Sequence, residues 1–126
     1  MARVQQVGRV LVPVADQDAA IAWYTDKLGF TVAADVSFGE GERWVEVAPP
    51  SGGANLALVP ERGDYRTGRM TGVALTSGDV AGDHAELRSN GVDADDLLGG
   101  DGTVPPMFFF RDGDGNTLLL VAETSR

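Results

Sequence analysis

The amino-acid sequence predicts an α+β fold built from two tandem βαβββ modules. A β-branched run that ends in an aspartate occurs twice, at residues 10–16 and 73–79, and Asp79 lies 63 positions after Asp16. A helical stretch follows each aspartate and stops at a glycine, and these glycines, Gly29 and Gly91, are 62 positions apart. An offset close to half of a 126-residue chain indicates two halves that share one plan.

Both helices have sequence signals for a defined beginning and end. We predict helices over residues 17–28 and 80–90, because an aspartate that can serve as N-cap precedes each of them. The glycine after each helix can adopt the left-handed backbone conformation that closes a helix. The β-branched run before each aspartate supplies the first strand of its module.

The rest of each half predicts three further strands. In the first half they are residues 31–38, 43–47 and 55–59, separated by turns rich in glycine and proline. In the second half a weakly patterned strand over residues 92–98 precedes strands over residues 107–111 and 117–121. The turn Asp112-Gly113-Asp114-Gly115-Asn116 is a hairpin signal, because Asp, Gly and Asn tolerate the backbone angles of tight turns. We predict one domain over residues 1–126, with module one at 1–62 and module two at 68–126.

Composition and charge exclude several classes of function. Ten basic residues against nineteen acidic ones give a net charge of −9, which repels phosphate backbones and anionic lipid, so neither nucleic acid nor membrane is a predicted partner. The sequence has no cysteine, which excludes disulfides, thiol nucleophiles and thiolate zinc sites. The sequence predicts no signal peptide, and it contains no apolar stretch long enough to span a membrane. These features predict a cytoplasmic protein.

Side-chain alternation along the strands separates an apolar face from a mixed one. Val10, Val12 and Val14 share one side of the first strand, and we expect such apolar sides to pack against the helices. The opposite face carries both aromatic side chains and isolated charges, a combination typical of a small-molecule pocket. The predicted ligand-binding residues on this face are Arg9, Trp44, Glu46, Met107 and Phe109.

Some of these residues have more than one interpretation. Arg9 and Glu46 either form an ion pair inside the cavity or bind opposite poles of a ligand. Glu46 is also a candidate general base, a role that requires a pKa raised by burial. Trp44 and Phe109 either line the pocket or fill a closed core or a dimer interface. His84, the single histidine, is predicted to be a helix-face residue, and the sequence has no nucleophile elbow, P-loop or dinucleotide fingerprint.

Several segments resemble the vicinal oxygen chelate superfamily, which includes glyoxalase I, extradiol dioxygenases, and the fosfomycin and bleomycin resistance proteins. Its opening is matched by Val10-Leu11-Val12-Pro13-Val14-Ala15-Asp16, Ala22-Trp23-Tyr24 and Leu28-Gly29-Phe30. Phe110-Arg111-Asp112-Gly113-Asp114-Gly115-Asn116 resembles its closing motif, with Gly113 where proline is common. The resemblance covers essentially the whole chain and implies a glyoxalase/bleomycin-resistance-like fold in which the two modules form a half-barrel cup.

Enzymes of this superfamily hold a divalent metal with His, Gln or Glu side chains from both halves. The resemblance assigns the four metal-ligand positions to Arg9, Gly72, Ala57 and Leu119. A cation, a glycine, an alanine and a leucine do not coordinate such an ion. We therefore predict no metal and no cofactor.

The resemblance then implies a metal-free binding protein of the bleomycin-resistance type. Such a protein sequesters a hydrophobic or aromatic small molecule, for example an antibiotic or another natural product, and so confers antibiotic resistance. The alternative is a glyoxalase-like or dioxygenase-like enzyme, a lyase or isomerase with an atypical or metal-independent site. A third possibility is a scaffold that binds no small ligand.

The resemblance also implies a homodimer in which modules pair across subunits and form two equivalent crevices. Tyr65 in the connecting loop and the Pro105-Pro106 segment are expected to border these crevices.

Overall fold

The computed structural model describes residues 1–123, so residues 124–126 of the predicted second module lie outside the described residues. The chain divides into two compact units, Met1–Arg66 and Thr67–Arg126. Each contains one small sheet and one helix, which confirms the predicted α+β class. The first unit contains β1 (Arg9–Val14), α1 (Gln17–Leu28), β2 (Thr31–Phe38), β3 (Glu42–Ala48) and β4 (Asn55–Pro60). The second contains β5 (Met70–Ser77), α2 (Val80–Ser89), β6 (Met107–Arg111) and β7 (Thr117–Ala122).

The sheet of the first unit has the strand order β1-β4-β3-β2. β1 and β4 are parallel, whereas the β4–β3 and β3–β2 pairs are antiparallel. The apolar face predicted for β1 is buried at Val12 and Val14, which are at most 1% exposed, and half-buried at Val10. Tyr24 of α1 is also buried and packs its ring on Phe30. Burial of each large apolar side chain contributes about 1.5–3 kcal/mol to folding, so this layer is the main source of stability in the unit.

The helix ends follow the predicted capping pattern with one difference. The carboxylates of Asp16 and Asp79 accept hydrogen bonds from the first turns of α1 and α2. Gly29 closes α1 in the left-handed conformation, at φ 71°. α2 ends one residue earlier than predicted, because Asn90 caps it and Gly91 follows with φ 84°.

The sheet of the second unit has the order β5-β7-β6, and β6 and β7 form the predicted antiparallel hairpin. The strand predicted over residues 92–98 is wrong, since this segment makes only two isolated bridges, Ala94 with Phe110 and Leu98 with Met107. The two bridges differ in register by one residue, since four positions separate Ala94 from Leu98 but only three separate Phe110 from Met107. Arg88 donates to the carbonyl of Ala94, and the ring of His84 contacts the carbonyl of Asp95. The described part of the second unit is therefore βαββ.

None of the helices formed by residues 1–123 is both long enough and apolar enough to cross a membrane.

Candidate ligand-binding site

The first unit contains a cavity of about 410 Å³, within the size range of small-molecule sites. Its lining residues come from β1, β2, β3, β4 and the segment that follows β4. They are Leu11, Phe38, Glu42, Arg43, Trp44, Val59, Pro60, Arg62 and Tyr65. Trp44 is the one predicted ligand-binding residue among them, and its indole is half-buried.

Trp44 is held by a buried carboxylate two residues along the same strand. The indole Nε1 donates to Glu46 Oε2 at 2.7 Å, and Arg9 Nε donates to the same oxygen at 2.8 Å. Asn55 Nδ2 donates to Glu46 Oε1 at 3.0 Å. The side chain of Glu46 is only 7% exposed, so these three donors replace the water that it loses on folding. Arg9 and Glu46 therefore form an ion pair, although neither residue lines the cavity.

These contacts determine the protonation state of Glu46. The hydrogen bonds from Asn55 and then Trp44, together with the charge of Arg9, hold the pKa of Glu46 below its ordinary value, although burial acts in the opposite direction. A general base at neutral pH would need the opposite shift. The general-base role stays a prediction, and the surroundings of Glu46 favour the ionised carboxylate as a hydrogen-bond acceptor that orients Trp44.

Replacing Glu46 with glutamine is expected to lower the free energy of unfolding by about 1–3 kcal/mol at neutral pH, because hydrogen bonds to a charged acceptor are lost. The folded-state pKa of Glu46 is lowered, so its contribution is present above the ordinary pKa of 4.5 and is lost as the pH falls through the folded-state value. The difference between wild type and Glu46→Gln should therefore shrink on acidification. Urea unfolding at several pH values measures it, and a difference that grew on acidification would contradict this interpretation.

The polar groups that line the cavity are engaged by other protein groups. Arg43 donates to both carboxylate oxygens of Asp35, at 2.8 and 2.9 Å, and pairs with Asp18 at 2.8 Å. Arg62 and Glu42 form an ion pair at 3.4 Å. The hydroxyl of Tyr65 donates to the carbonyl of Leu11. The indole N–H of Trp44 is committed to Glu46, so the cavity presents mainly ring faces and aliphatic carbon.

Met107 and Phe109 belong to the second unit, where they share one side of β6. Both side chains are half-buried, and they pair across the hairpin with Val121 and Leu119. Phe108 and Phe110 lie on the other side and are fully buried, so the predicted alternation of β6 is confirmed.

None of the four predicted metal-ligand positions carries a side chain that coordinates a metal ion. Arg9 is committed to Glu46, and Ala57 is fully buried opposite Leu11 and Glu46. Gly72 lies at the irregular start of β5, and Leu119 pairs with Ala74 and Phe109. Across residues 1–123, no group of three or more His, Cys, Asp or Glu side chains is placed to hold a metal ion. The residues present therefore do not fit the metal that enzymes of the resembling superfamily carry.

Several lining residues were not among the predicted ligand-binding residues. Phe38 is 51% exposed at the end of β2, and it pairs with Glu42. Ala57 pairs with Leu11 on β1 and with Glu46 on β3, so these three side chains share one face of the sheet. Two-residue alternation along β4 from Ala57 places Val59 on the same face, so Leu11 and Val59 could have been found from Glu46. Tyr65 was expected only at a crevice border, and no periodic signal brings its hydroxyl to the carbonyl of Leu11.

The chain belongs to the Glyoxalase/Bleomycin resistance protein/Dioxygenase superfamily, whose sequence pattern matches residues 6–120. It is similar to the uncharacterized protein YetH of Bacillus subtilis (strain 168), with 32% identity over 93% of this chain and 98% of that protein.

Solved structures of similar proteins agree with this membership. TnmS3, an antibiotic binding protein from Streptomyces sp. CB03234, is 31% identical and has a TM-score of 0.84, with 98% of this chain and 100% of that chain covered. A superfamily member from Sphaerobacter thermophilus DSM 20745 is 28% identical and has a TM-score of 0.88, with 97% and 100% covered. The family resemblance is confirmed.

Proposed function

We propose that this protein is a metal-free small-molecule binding protein of the bleomycin-resistance type, which sequesters a hydrophobic or aromatic compound. The observation that carries the proposal is the cavity of the first unit, where the indole of Trp44 is held in place by Glu46. A ring fixed before binding loses little conformational freedom when a ligand stacks on it. The antibiotic-binding neighbour TnmS3 supports an antibiotic or another natural product as the compound.

The polar side chains that line the cavity already have partners within the protein, which favours an uncharged ligand. A charged group that enters the cavity gives up its hydration, which costs free energy unless new partners replace the water. Arg43 is already paired with Asp18 and Asp35, and Arg62 is paired with Glu42. The net charge of −9 further opposes the approach of an anion.

Two fluorescent probes with the same ring system test this proposal. N-phenylnaphthylamine is uncharged, and anilinonaphthalene sulfonate carries one negative charge on the same skeleton. We expect the uncharged probe to bind at least about tenfold more tightly, a difference of about 1.4 kcal/mol, because both arginines that line the cavity already have carboxylate partners. Fluorescence titration measures both dissociation constants. Equal or tighter binding of the sulfonate would contradict the uncharged class, and no binding of either probe would contradict the proposed site.

Three further measurements complete the test. Arg9→Ala is expected to leave binding of N-phenylnaphthylamine unchanged, because Arg9 contacts Glu46 and does not line the cavity. A sulfonate held through Arg9 would lose affinity in the same variant. Acridine, which is uncharged above its pKa, and the permanent cation N-methylacridinium are the corresponding pair of probes for positive charge, and their dissociation constants are compared above that pKa. Metal analysis of the purified protein, with divalent ions added back, tests the enzyme alternative.

The proposed assembly is a homodimer, in keeping with the family resemblance. Light scattering of dilute protein measures the mass directly, and a monomer mass would contradict this part of the proposal.

A further inference from the structure

The cavity lies where two paired strands of the first unit separate. β3 and β4 pair in register at Val47 with Leu56 and at Glu46 with Ala57, and the paired register stops there although both strands continue. Trp44 and Val59, which line the cavity, belong to the segments beyond the last pair. The width of the opening between these segments therefore determines how far apart Trp44 and Val59 stand.

A side chain from α1 occupies this separation. The amide nitrogen Nε2 of Gln17 donates to the carbonyl of Arg43 on β3 and to the carbonyl of Leu58 on β4, each at 2.9 Å. One amide has two N–H groups, so a single side chain satisfies a carbonyl on each strand. Arg43 directly precedes Trp44, and Leu58 directly precedes Val59, so the bridge holds the two backbones next to both lining residues.

The sequence of β4 explains why a side chain is needed at this point. If the register of the Glu46–Ala57 pair continued, Pro60 would stand opposite Arg43. Proline has no backbone N–H, so it cannot donate to the carbonyl of Arg43. A buried or half-buried carbonyl without a donor is costly, and Gln17 supplies that donor from the first turn of α1.

We propose that Gln17 is a positioning residue of the ligand site, which sets the distance between Trp44 and Val59 by bridging the separated ends of β3 and β4. This inference rests on the proposed function for its effect on binding. Its effect on the geometry of the opening is independent of any ligand. Gln17 itself does not line the cavity, so it acts through the backbone that carries the lining residues.

Gln17→Leu and Gln17→Asn test the role of the bridge. Leucine removes both donors, whereas asparagine keeps the amide but is one methylene too short to reach both carbonyls. We expect the dissociation constant of N-phenylnaphthylamine to rise by about tenfold in Gln17→Leu, the effect of about 1.4 kcal/mol from two lost hydrogen bonds, and by less in Gln17→Asn. If Gln17→Leu does not fold, Gln17→Asn decides the outcome by the same measurements.

Asp16→Ala is the matched control, because the carboxylate of Asp16 caps the same helix end and accepts its hydrogen bond from Ala19 of α1, not from β3 or β4. It is expected to lower the melting temperature as much as the Gln17 variants while leaving probe affinity unchanged. A parallel loss of affinity in Asp16→Ala, or unchanged affinity in both Gln17 variants, would overturn the inference.

A readout without ligand separates this inference from the proposed function. In a Trp23→Phe background Trp44 is the only tryptophan, and acrylamide quenching reports how accessible its indole is. We expect the acrylamide quenching constant of Trp44 to differ from that of the Trp23→Phe background in Gln17→Leu and to equal it in Asp16→Ala. If the wild type binds no probe, the proposed function fails, and quenching alone then supports or overturns the role of Gln17.

Discussion

Replacing Trp44 with alanine is expected to weaken binding of N-phenylnaphthylamine by about 2–4 kcal/mol, which corresponds to a loss of about thirtyfold to a thousandfold. The indole is the large aromatic surface of the cavity, and its hydrogen bond to Glu46 fixes the plane of the ring. Alanine removes both the stacking surface and this fixed orientation. Fluorescence titration of the variant against wild type measures the loss.

Two variants separate anchoring from packing. Trp23→Ala removes the other tryptophan, a half-buried residue of α1 that contacts Tyr24 and does not line the cavity, so probe affinity should stay unchanged. Trp44→Phe keeps a ring but loses the N–H that reaches Glu46, so it should bind with intermediate affinity. If Trp44→Ala lowered the melting temperature without changing affinity, the indole would be a packing residue of a closed core.

The elements that the sequence predicted well are those whose signals are local. An aspartate cap, a closing glycine and a run of β-branched residues each act within a few positions, so α1 and β2 begin and end where they were expected. The segment over residues 92–98 was only weakly patterned. Its backbone hydrogen bonds go to β6, but the register shifts by one residue between the Ala94–Phe110 and Leu98–Met107 bridges. Such a register shift has no local signature.

The same distinction between local signals and contacts distant in the sequence applies to the candidate site. Arg9, Trp44 and Glu46 could be placed on one face because strand alternation fixes the direction of each side chain. In the structure, the N–H groups of Arg9 and Trp44 both donate to the carboxylate of Glu46. The bridge of Gln17 to two strands and the contact of Tyr65 with Leu11 span 26 to 54 positions along the chain. Contacts at that separation depend on how helix and loop pack on the sheet, which residue pattern alone does not determine.

Replacing Asn116 with alanine is expected to lower the free energy of unfolding by about 2–4 kcal/mol, because each buried polar group that loses its partner costs about 1–3 kcal/mol. Asn116 is fully buried, and its side-chain oxygen accepts hydrogen bonds from the backbone N–H groups of Gly68 at 3.0 Å and Arg69 at 3.3 Å. Its amide nitrogen donates to Asp112 at 3.2 Å. The residue thus ties the β6–β7 turn to the segment before β5, and urea unfolding measures the loss.

Asn116→Asp distinguishes the lost acceptor from the lost donor. Aspartate keeps an oxygen for Gly68 and Arg69 but places a second carboxyl group against Asp112. Burial and the neighbouring charge should raise the pKa of the new carboxyl in the folded state. The variant should therefore approach wild-type stability at acidic pH, where the new carboxyl is protonated, and lose stability as the pH rises through the folded-state pKa of that carboxyl. Ser89→Ala, at an exposed hydroxyl of the same unit, should change stability by less than about 0.5 kcal/mol. An Asn116→Ala variant as stable as Ser89→Ala would show that the turn and the segment before β5 are held by other contacts.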